Sequence, residues 1–332
     1  MNKKYKNILE LVGNTPLAHL DFVEQEFGIK ATLLAKLEFL NPGGSVKDRS
    51  ALFMVAQAEK EGLLKPGGTI IEASSGNQGI ALAMIGAVKG YKVIITVPDR
   101  TSKEKVDALR AYGATVYLCP NTDSLDDPQG YHTKAEILHE QIPGSFMPNQ
   151  YYNKANSLAH YTTTGKEIWE QTEGKLTHVI VGAGSCGTIS GVGKFLKEKN
   201  KNIKVIGADA ATSAYSSKAP KAYESEGIGI DVITDTFEQQ YVDEIIPVSD
   251  AHAFSTARYL ALKGFLVGIS SGAVMHAAIE YCKKLDKNDV VVLTFGDSGR
   301  AYLQKLFGEN AKFKDININV NNKNNLEKQD NA

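Results

Sequence analysis

Four short segments of this 332-residue chain combine glycines and polar side chains at spacings that chemistry can use. In Asn41-Pro-Gly-Gly-Ser-Val-Lys-Asp-Arg49, a Pro-Gly turn delivers Ser45 as a helix N-cap, with Asp48 completing the box. That plain reading accounts for every residue except Lys47. A lysine just inside a helix start, desolvated so that some neutral amine is available, is suited to Schiff-base chemistry. In Glu72-Ala-Ser-Ser-Gly-Asn-Gln-Gly79, an ordinary strand-to-helix loop would also aim Ser74, Ser75, Asn77, Gln78 and backbone N–H groups at one point. Such a point beside a helix N-terminus suits a carboxylate. Gly182-Ala-Gly-Ser-Cys-Gly-Thr188 follows an apolar run and opens a helix, so its N–H groups and the helix dipole form an anion nest. It also matches G-x-G-x-x-G, and Asp209 ends the next strand about 20 residues on, which is the dinucleotide fingerprint of a nicotinamide dehydrogenase. The dinucleotide reading leaves the first two segments without a role, whereas a cofactor monophosphate uses all of them. The fourth segment, Ile269-Ser-Ser-Gly272, holds one serine that caps a helix and a second, Ser270, placed to meet a heterocyclic nitrogen.

Short β-branched runs and helix-period segments alternate around these sites. Strands are expected at Thr69–Glu72, Lys92–Val97, Thr115–Leu118, His178–Val181, Lys204–Ala208 and Val290–Thr294. Helices are expected at Ser45–Glu61, Gln78–Val88, Thr101–Ala111 and Thr188–Lys199. This alternation indicates an α/β protein with mostly parallel sheets covered on both faces. Thr101-x-x-Glu104 reads as a capping box and Gly113 as the stop of the same helix. Cys119–Gly130 reads as a long surface loop, and a domain change falls near Asn149–Asn153. The asparagine-rich residues 316–332 are too polar to bury much and read as disordered, although Ile316, Ile318 and Val320 alternate as a short edge strand would.

A chain of this length holds about two domains of roughly 150 residues. Its net charge of −1 provides no field for nucleic acid or an anionic membrane. The longest apolar runs fall short of the roughly 20 residues that span a bilayer, and the N-terminus has no secretory apolar core. The three cysteines, Cys119, Cys186 and Cys282, form neither a disulfide framework nor a metal-binding spacing, and the expected location is cytoplasmic. The histidines show no ligand spacing, so no metal is expected, and His160 reads as structural.

Taken in order, the four segments resemble the cysteine synthase/cystathionine β-synthase family of pyridoxal phosphate enzymes, fold type II, over roughly Asn7 to Phe307. The resemblance implies a tryptophan synthase β-like fold with two three-layer domains. One is residues 1–151, the other residues 152–315, with part of 14–40 packing on the second. It implies that Lys47 carries the cofactor, that Asn77 binds its phenolic oxygen, and that Gly184, Ser185, Cys186, Gly187 and Thr188 hold its phosphate. Ser270 meets the pyridine nitrogen, while Ser74, Ser75, Asn77, Gln78, Gln150 and Gly227 receive the substrate. Gln150-Tyr-Tyr-Asn…Leu-Ala-His-Tyr161 and Glu226-Gly-Ile-Gly-Ile-Asp231 lean toward the cystathionine β-synthase branch. The implied reaction is β-replacement on serine or an activated serine, with homocysteine as acceptor, or sulfide in the cysteine synthase alternative. A homodimer acting on small molecules is also implied; a non-enzymatic regulatory partner is the reading that an intact Lys47 opposes.

Three residues depart from the family pattern. Ser74 and Gln78 stand where threonine is usual, Ser74 keeping the hydroxyl, and Cys186 stands where glycine is usual. If position 186 needs a positive φ, its Cβ costs on the order of 1 kcal/mol or more. The sequence shows neither an N-terminal haem-binding extension nor a C-terminal regulatory pair, so control by haem or adenosylmethionine is not expected.

Overall fold

The computed structural model describes residues 4–314, apart from Ser75, Arg100 and residues 123–126, together with Ile318. In chain order the elements are β1 (Leu17–His19), α1 (Asp21–Phe27), β2 (Thr32–Leu37), α2 (Lys47–Lys60), β3 (Thr69–Ala73), α3 (Asn77–Lys89) and β4 (Lys92–Pro98). There follow α4 (Lys103–Ala111), β5 (Thr115–Cys119), α5 (Tyr131–Gln141), α6 (Ala155–Thr162), α7 (Thr164–Gln171), β6 (His178–Gly182) and α8 (Gly187–Lys199). The chain continues through β7 (Lys204–Ala210), β8 (Glu244–Val248), α9 (Asp250–Leu262), α10 (Ile269–Cys282), β9 (Val290–Phe295) and α11 (Leu303–Phe307).

The strands form two sheets. One has the order β1-β2-β9-β6-β7-β8 and the other β3-β4-β5, and every pair is parallel except β1 with β2. Parallel strands buried on both faces must be apolar on both faces. In β6, Ile180 packs with α9 and α10, while Val179 and Val181 pack with α8 on the other side. In the small sheet, Ile95 and Val97 face α2, α3 and α4, while Ile71 and Ala73 face Ala135 and Leu138 of α5. Both sheets are therefore the middle of three layers. The segment holding β1 and β2 joins the large sheet through β9 although it precedes the small sheet in sequence.

All six expected strands and all four expected helices form. The capping box expected at Thr101 does not. Helix α4 begins at Lys103, and Ser102 occupies the cap position without a side-chain cap bond. Gly113 does close that turn, at φ +86. The asparagine-rich tail and the alternation at Ile316–Val320 lie outside the described residues except for Ile318, as does the middle of the loop Cys119–Gly130.

A buried ionic network fixes the start of α2. Arg49 donates to Glu38 at 2.7 and 2.9 Å and to Glu167 at 2.6 and 2.8 Å. Lys36, fully buried on β2, donates to Glu167 at 2.7 Å and to the Thr15 carbonyl at 2.5 Å. Each charge is paired, as burial requires, and removing one partner would strand the others at a cost of about 3–5 kcal/mol. The network ties β2, α2 and α7 together two residues beyond Lys47.

Candidate active site

Three of the four segments follow the C-terminal ends of the parallel strands β2, β3 and β6, where open α/β sheets place their ligands, and the fourth, Ile269–Gly272, opens α10 after α9. Lys47 is the first residue of α2, and its N–H donates to Ser45 Oγ at 3.2 Å. Asp48 does not complete a box with Ser45; it turns back to accept the Gly43 N–H at 2.5 Å. The loop before Lys47 is clipped to the loop after β9, with Val46 N–H donating to the Gly296 carbonyl at 2.8 Å and Ser298 N–H to that of Gly44 at 3.2 Å. Burial pushes the Lys47 amine below its usual range, while the carboxylate of Asp297 pulls it back up. The residue remains half-buried rather than sealed.

The loop between β3 and α3 is organised by Ser74. Its Oγ accepts the N–H groups of Gly79 at 3.1 Å and Gly76 at 3.4 Å, which leaves the hydroxyl proton as its own donor. Ser75 lies outside the described residues. Asn77 opens α3 and donates through Nδ2 to Asp297 Oδ2 at 2.7 Å. Gln78 is buried, accepts the Ser50 hydroxyl at 3.3 Å, and keeps an Nε2 with no partner among the described residues.

The loop between β6 and α8 is set by close packing. A Cβ on Gly184 would lie 2.8 Å from the Gly227 carbonyl, and one on Gly187 would lie 2.1 Å from Asn156 Oδ1. Cys186 occupies the left-handed region at φ +62, so the strain attached to a Cβ there is present. Burial pushes its thiol up to about 12, which keeps it protonated and unreactive at neutral pH. Ser190 N–H donates to the Cys186 carbonyl at 3.0 Å, so the N–H groups of the preceding turn face outward as an anion nest. Thr188 Oγ1 meets His160 Nε2 at 3.2 Å, and His160 Nδ1 meets Thr164 at 2.9 Å. Both ring nitrogens are used, and burial drives the His160 pKa well down, so the ring is a neutral strut.

The remaining residues close around these two loops. Ser270 lies in the first turn of α10, where a Cβ on Gly227, at φ +84, would be 3.1 Å from its Oγ and one on Gly296 would be 3.7 Å away. Ser271 is the structural member of the pair, accepting the Gly296 N–H at 3.1 Å. Asn156 donates to the Gln150 carbonyl at 2.8 Å and to Ser185 Oγ at 3.2 Å, joining the Gln150 turn to the α8 loop. Glu72 accepts the N–H groups of Asn149 at 2.8 Å and Gln150 at 3.2 Å, joining that turn to the β3 strand end. The structure thus gathers Lys47, Asn77, Gln78, Gln150, Ser185–Thr188, Gly227 and Ser270 in one cleft.

Sequence reasoning missed Glu72, Asn156 and Asp297. The signal for Asp297 was its place directly after the apolar strand Val290–Phe295, where an acid at a buried strand end has no solvent to sit in. Asp209 takes no part in the cleft. Its Oδ2 accepts hydroxyls from Ser213 and Ser216, and the residue is fully buried on β7, out of reach of a ribose. The donor set fits pyridoxal phosphate: a half-buried amine with a lowered pKa, an anion nest too tight for any Cβ at Gly184 or Gly187, a carboxamide and a small hydroxyl. No group of residues that could hold a metal ion occurs among the described residues, and none of their helices is long and apolar enough to cross a membrane.

Comparison with known proteins agrees with this donor set. The pyridoxal-phosphate dependent enzyme family matches residues 8–297. Cystathionine beta-synthase of Apis mellifera is 43% identical over 91% of this chain and 61% of its own length, and that of Saccharomyces cerevisiae is 43% identical over 90% and 62%. This chain therefore spans about three fifths of those relatives. Among solved structures, a cysteine synthase from Entamoeba histolytica superposes with a TM-score of 0.86 at 38% identity, covering 92% of this chain and 91% of that one. An O-ureido-L-serine synthase gives the same TM-score at 32% identity, covering 93% and 97%. The chain belongs to the pyridoxal-phosphate dependent enzyme family, in the fold type II form shared with cysteine synthase.

Proposed function

We propose that this chain catalyses β-replacement on serine or an O-activated serine, with homocysteine as the thiol and cystathionine as the product. The observation that carries the reading is the Lys47 amine, desolvated at the start of α2 between the Asn77 loop and the nest that opens α8. In this reading Lys47 holds the cofactor aldehyde, the first turn of α8 holds the phosphate, Asn77 reaches the phenolic oxygen and Ser270 the ring nitrogen. When bound, pyridoxal phosphate supplies the electron sink that makes the Cα proton of an amino acid acidic. The chain's own residues do the rest. The N-terminus of α3, with Ser74, Ser75, Asn77, Gln78 and Gln150, binds the substrate carboxylate, and Gly227 leaves room for the substrate beside Ser270. The freed Lys47 amine, kept partly neutral by burial, takes the proton from Cα. If hydroxide leaves Cβ, Lys47 as ammonium protonates it; acetate needs no such help. A thiol then adds at Cβ as thiolate, its proton passing to Lys47 where hydroxide has taken the first one and to solvent where acetate has left, and Lys47 returns a proton to Cα. Ser270, a hydroxyl rather than a carboxylate, leaves the ring nitrogen largely neutral, which favours prompt loss of the β-substituent.

The choice of homocysteine rests on Glu226-Gly-Ile-Gly-Ile-Asp231, Leu158-Ala-His-Tyr161 and the two cystathionine beta-synthase relatives. The cysteine synthase structure supports the second reading, sulfide with O-acetylserine. Incubating serine or O-acetylserine with homocysteine or sulfide and identifying the product by mass spectrometry separates them. Cystathionine from serine is the expected result; cysteine alone would replace the first reading with the second. We also take the two sheets with their helices as two domains dividing near residue 151, and the chain as a cytoplasmic homodimer. Light scattering on the purified protein tests the dimer.

A further inference from the structure

The carboxylate of Asp297 lies inside the cleft with no step of the proposed reaction to perform. It is 2% exposed, and two donors converge on one of its oxygens: Asn77 Nδ2 at 2.7 Å and the Tyr302 hydroxyl at 2.5 Å, both on Oδ2. Its other oxygen, Oδ1, has no partner among the described residues and lies against Gly268, where a Cβ would be 2.0 Å away. Leaving a buried carboxylate oxygen unpaired costs stability, so a function for the group is a reasonable explanation of its presence.

We propose that Asp297 is a positioning residue that fixes the orientation of the Asn77 carboxamide. An amide presents a donor face and an acceptor face that differ little in shape, so packing alone does not select between them. Oδ2 already receives the Tyr302 hydroxyl and acts as an acceptor whether or not Asp297 carries a proton on Oδ1. The nitrogen of Asn77 must therefore face Asp297. One of its two N–H bonds is used there, and the second remains for an acceptor in the cleft. That acceptor would be the phenolic oxygen of the cofactor, so the inference rests on the role proposed for Asn77. With the amide reversed, a carbonyl would face an oxygen that is itself an acceptor, and binding would weaken. Asp297 is in turn held from both sides. Its N-terminal neighbour Gly296 bonds to Val46, and Tyr302 lies under the ammonium of Lys105, 4.3 Å from the ring centroid.

The test is a double-mutant cycle on the holoenzyme, read as the apparent dissociation constant for pyridoxal phosphate and the position of its visible band. Asn77→Ala and Asp297→Asn should each weaken binding about tenfold, the scale of one lost hydrogen bond to a charged group, and displace the band in the same direction. Because both act through one amide, Asp297→Asn should add nothing in the Asn77→Ala background. If Asn77→Ala leaves affinity and band unchanged, the role of Asn77 fails and takes this inference with it. If Asn77→Ala weakens binding while Asp297→Asn has no effect, or the two effects multiply, only the inference about Asp297 fails. Should Asp297→Asn not fold, as judged by circular dichroism, the cycle is run with Tyr302→Phe, which removes the other donor to Oδ2. A smaller shift that again vanishes in the Asn77→Ala background supports the inference, and an independent shift of full size overturns it.

Discussion

The two loops beside Lys47 are built on the same plan, a buried parallel strand, a glycine turn and a helix N-terminus, yet only one of them adds backbone close packing to its side-chain hydrogen bonds. The β6–α8 loop is fixed by close approach of backbone and side chain at Gly184 and Gly187, where no Cβ fits. The β3–α3 loop is fixed by hydrogen bonds that Ser74 and Gln78 accept and Asn77 donates, and a Cβ on Gly76 would meet nothing nearer than Lys105 Nζ at 3.6 Å. A nest with one permanent anion gains from rigidity. A loop that admits and releases an amino acid, as proposed for β3–α3, gains from contacts that can be exchanged.

The largest effect expected lies between the loops. Lys47→Ala should lose turnover by at least about 10³-fold, the scale of removing both a nucleophile and a general base, and should abolish the visible absorbance. Unchanged turnover would end the assignment. Breaking the rigid loop comes next. Gly187→Ala drives a Cβ into Asn156, and an overpacking cost of about 1–3 kcal/mol should weaken cofactor binding about 10- to 100-fold by equilibrium dialysis. Retained affinity would mean that the loop is as adaptable as its partner. The exchangeable loop sharpens the contrast when Gln78 is replaced. Gln78→Thr should leave cofactor affinity within about twofold and change kcat/KM among amino-acid donors by a few-fold, on the order of 1 kcal/mol. A loss of cofactor instead would place Gln78 with the rigid side.

The effect expected to touch turnover least is a pH dependence of stability. Burial raises the Glu72 carboxyl to about 7, where it accepts the N–H groups of Asn149 and Gln150. An acid whose folded pKa lies above its unfolded value stabilises the native state while protonated. That contribution is complete below the unfolded value of 4.5 and is lost as the pH rises through about 7. Glu72→Gln should therefore flatten the slope of stability against pH in that window, read from urea midpoints. An unaltered slope would show that the carboxyl titrates as in the unfolded chain.

What the sequence showed and what it hid follow from the same physics. Lys92–Pro98 and Val290–Phe295 are buried on both faces, so their β-branched runs were plain. Strand β2, Thr32–Leu37, was missed because Lys36 interrupts it; partners far along the chain, Thr15, Glu167 and Gln171, explain a fully buried lysine there. Strand β8 was missed because Pro247 lies within it, which is tolerated on the sheet edge that β8 occupies. The Lys47, Asn77, Gly184–Thr188 and Ser270 segments were legible because glycine turns announce themselves locally. Asp297 and Glu72 were harder to read because the groups they bind, Asn77 and the Asn149–Gln150 turn, are far away in sequence, and Asn156 because half of its role is to reach Ser185 across the fold. Cys186 adopts a positive φ without being glycine, so the family's preference at that position reflects a real backbone demand that this chain meets at a cost.

The pairing of β2 with β9 sets a timetable for synthesis. Thr32 pairs with Val290 and Leu37 with Phe295, so the second strand to leave the ribosome obtains its parallel neighbour only when the ninth arrives. The small sheet, complete by Cys119, has its strands in hand long before then. During elongation the nascent chain must carry an apolar β1–β2 ribbon with one edge open, which exposes it to misassociation and makes chaperone contact valuable. A ribosome that stalls short of residue 290 would leave β2 paired with β1 alone.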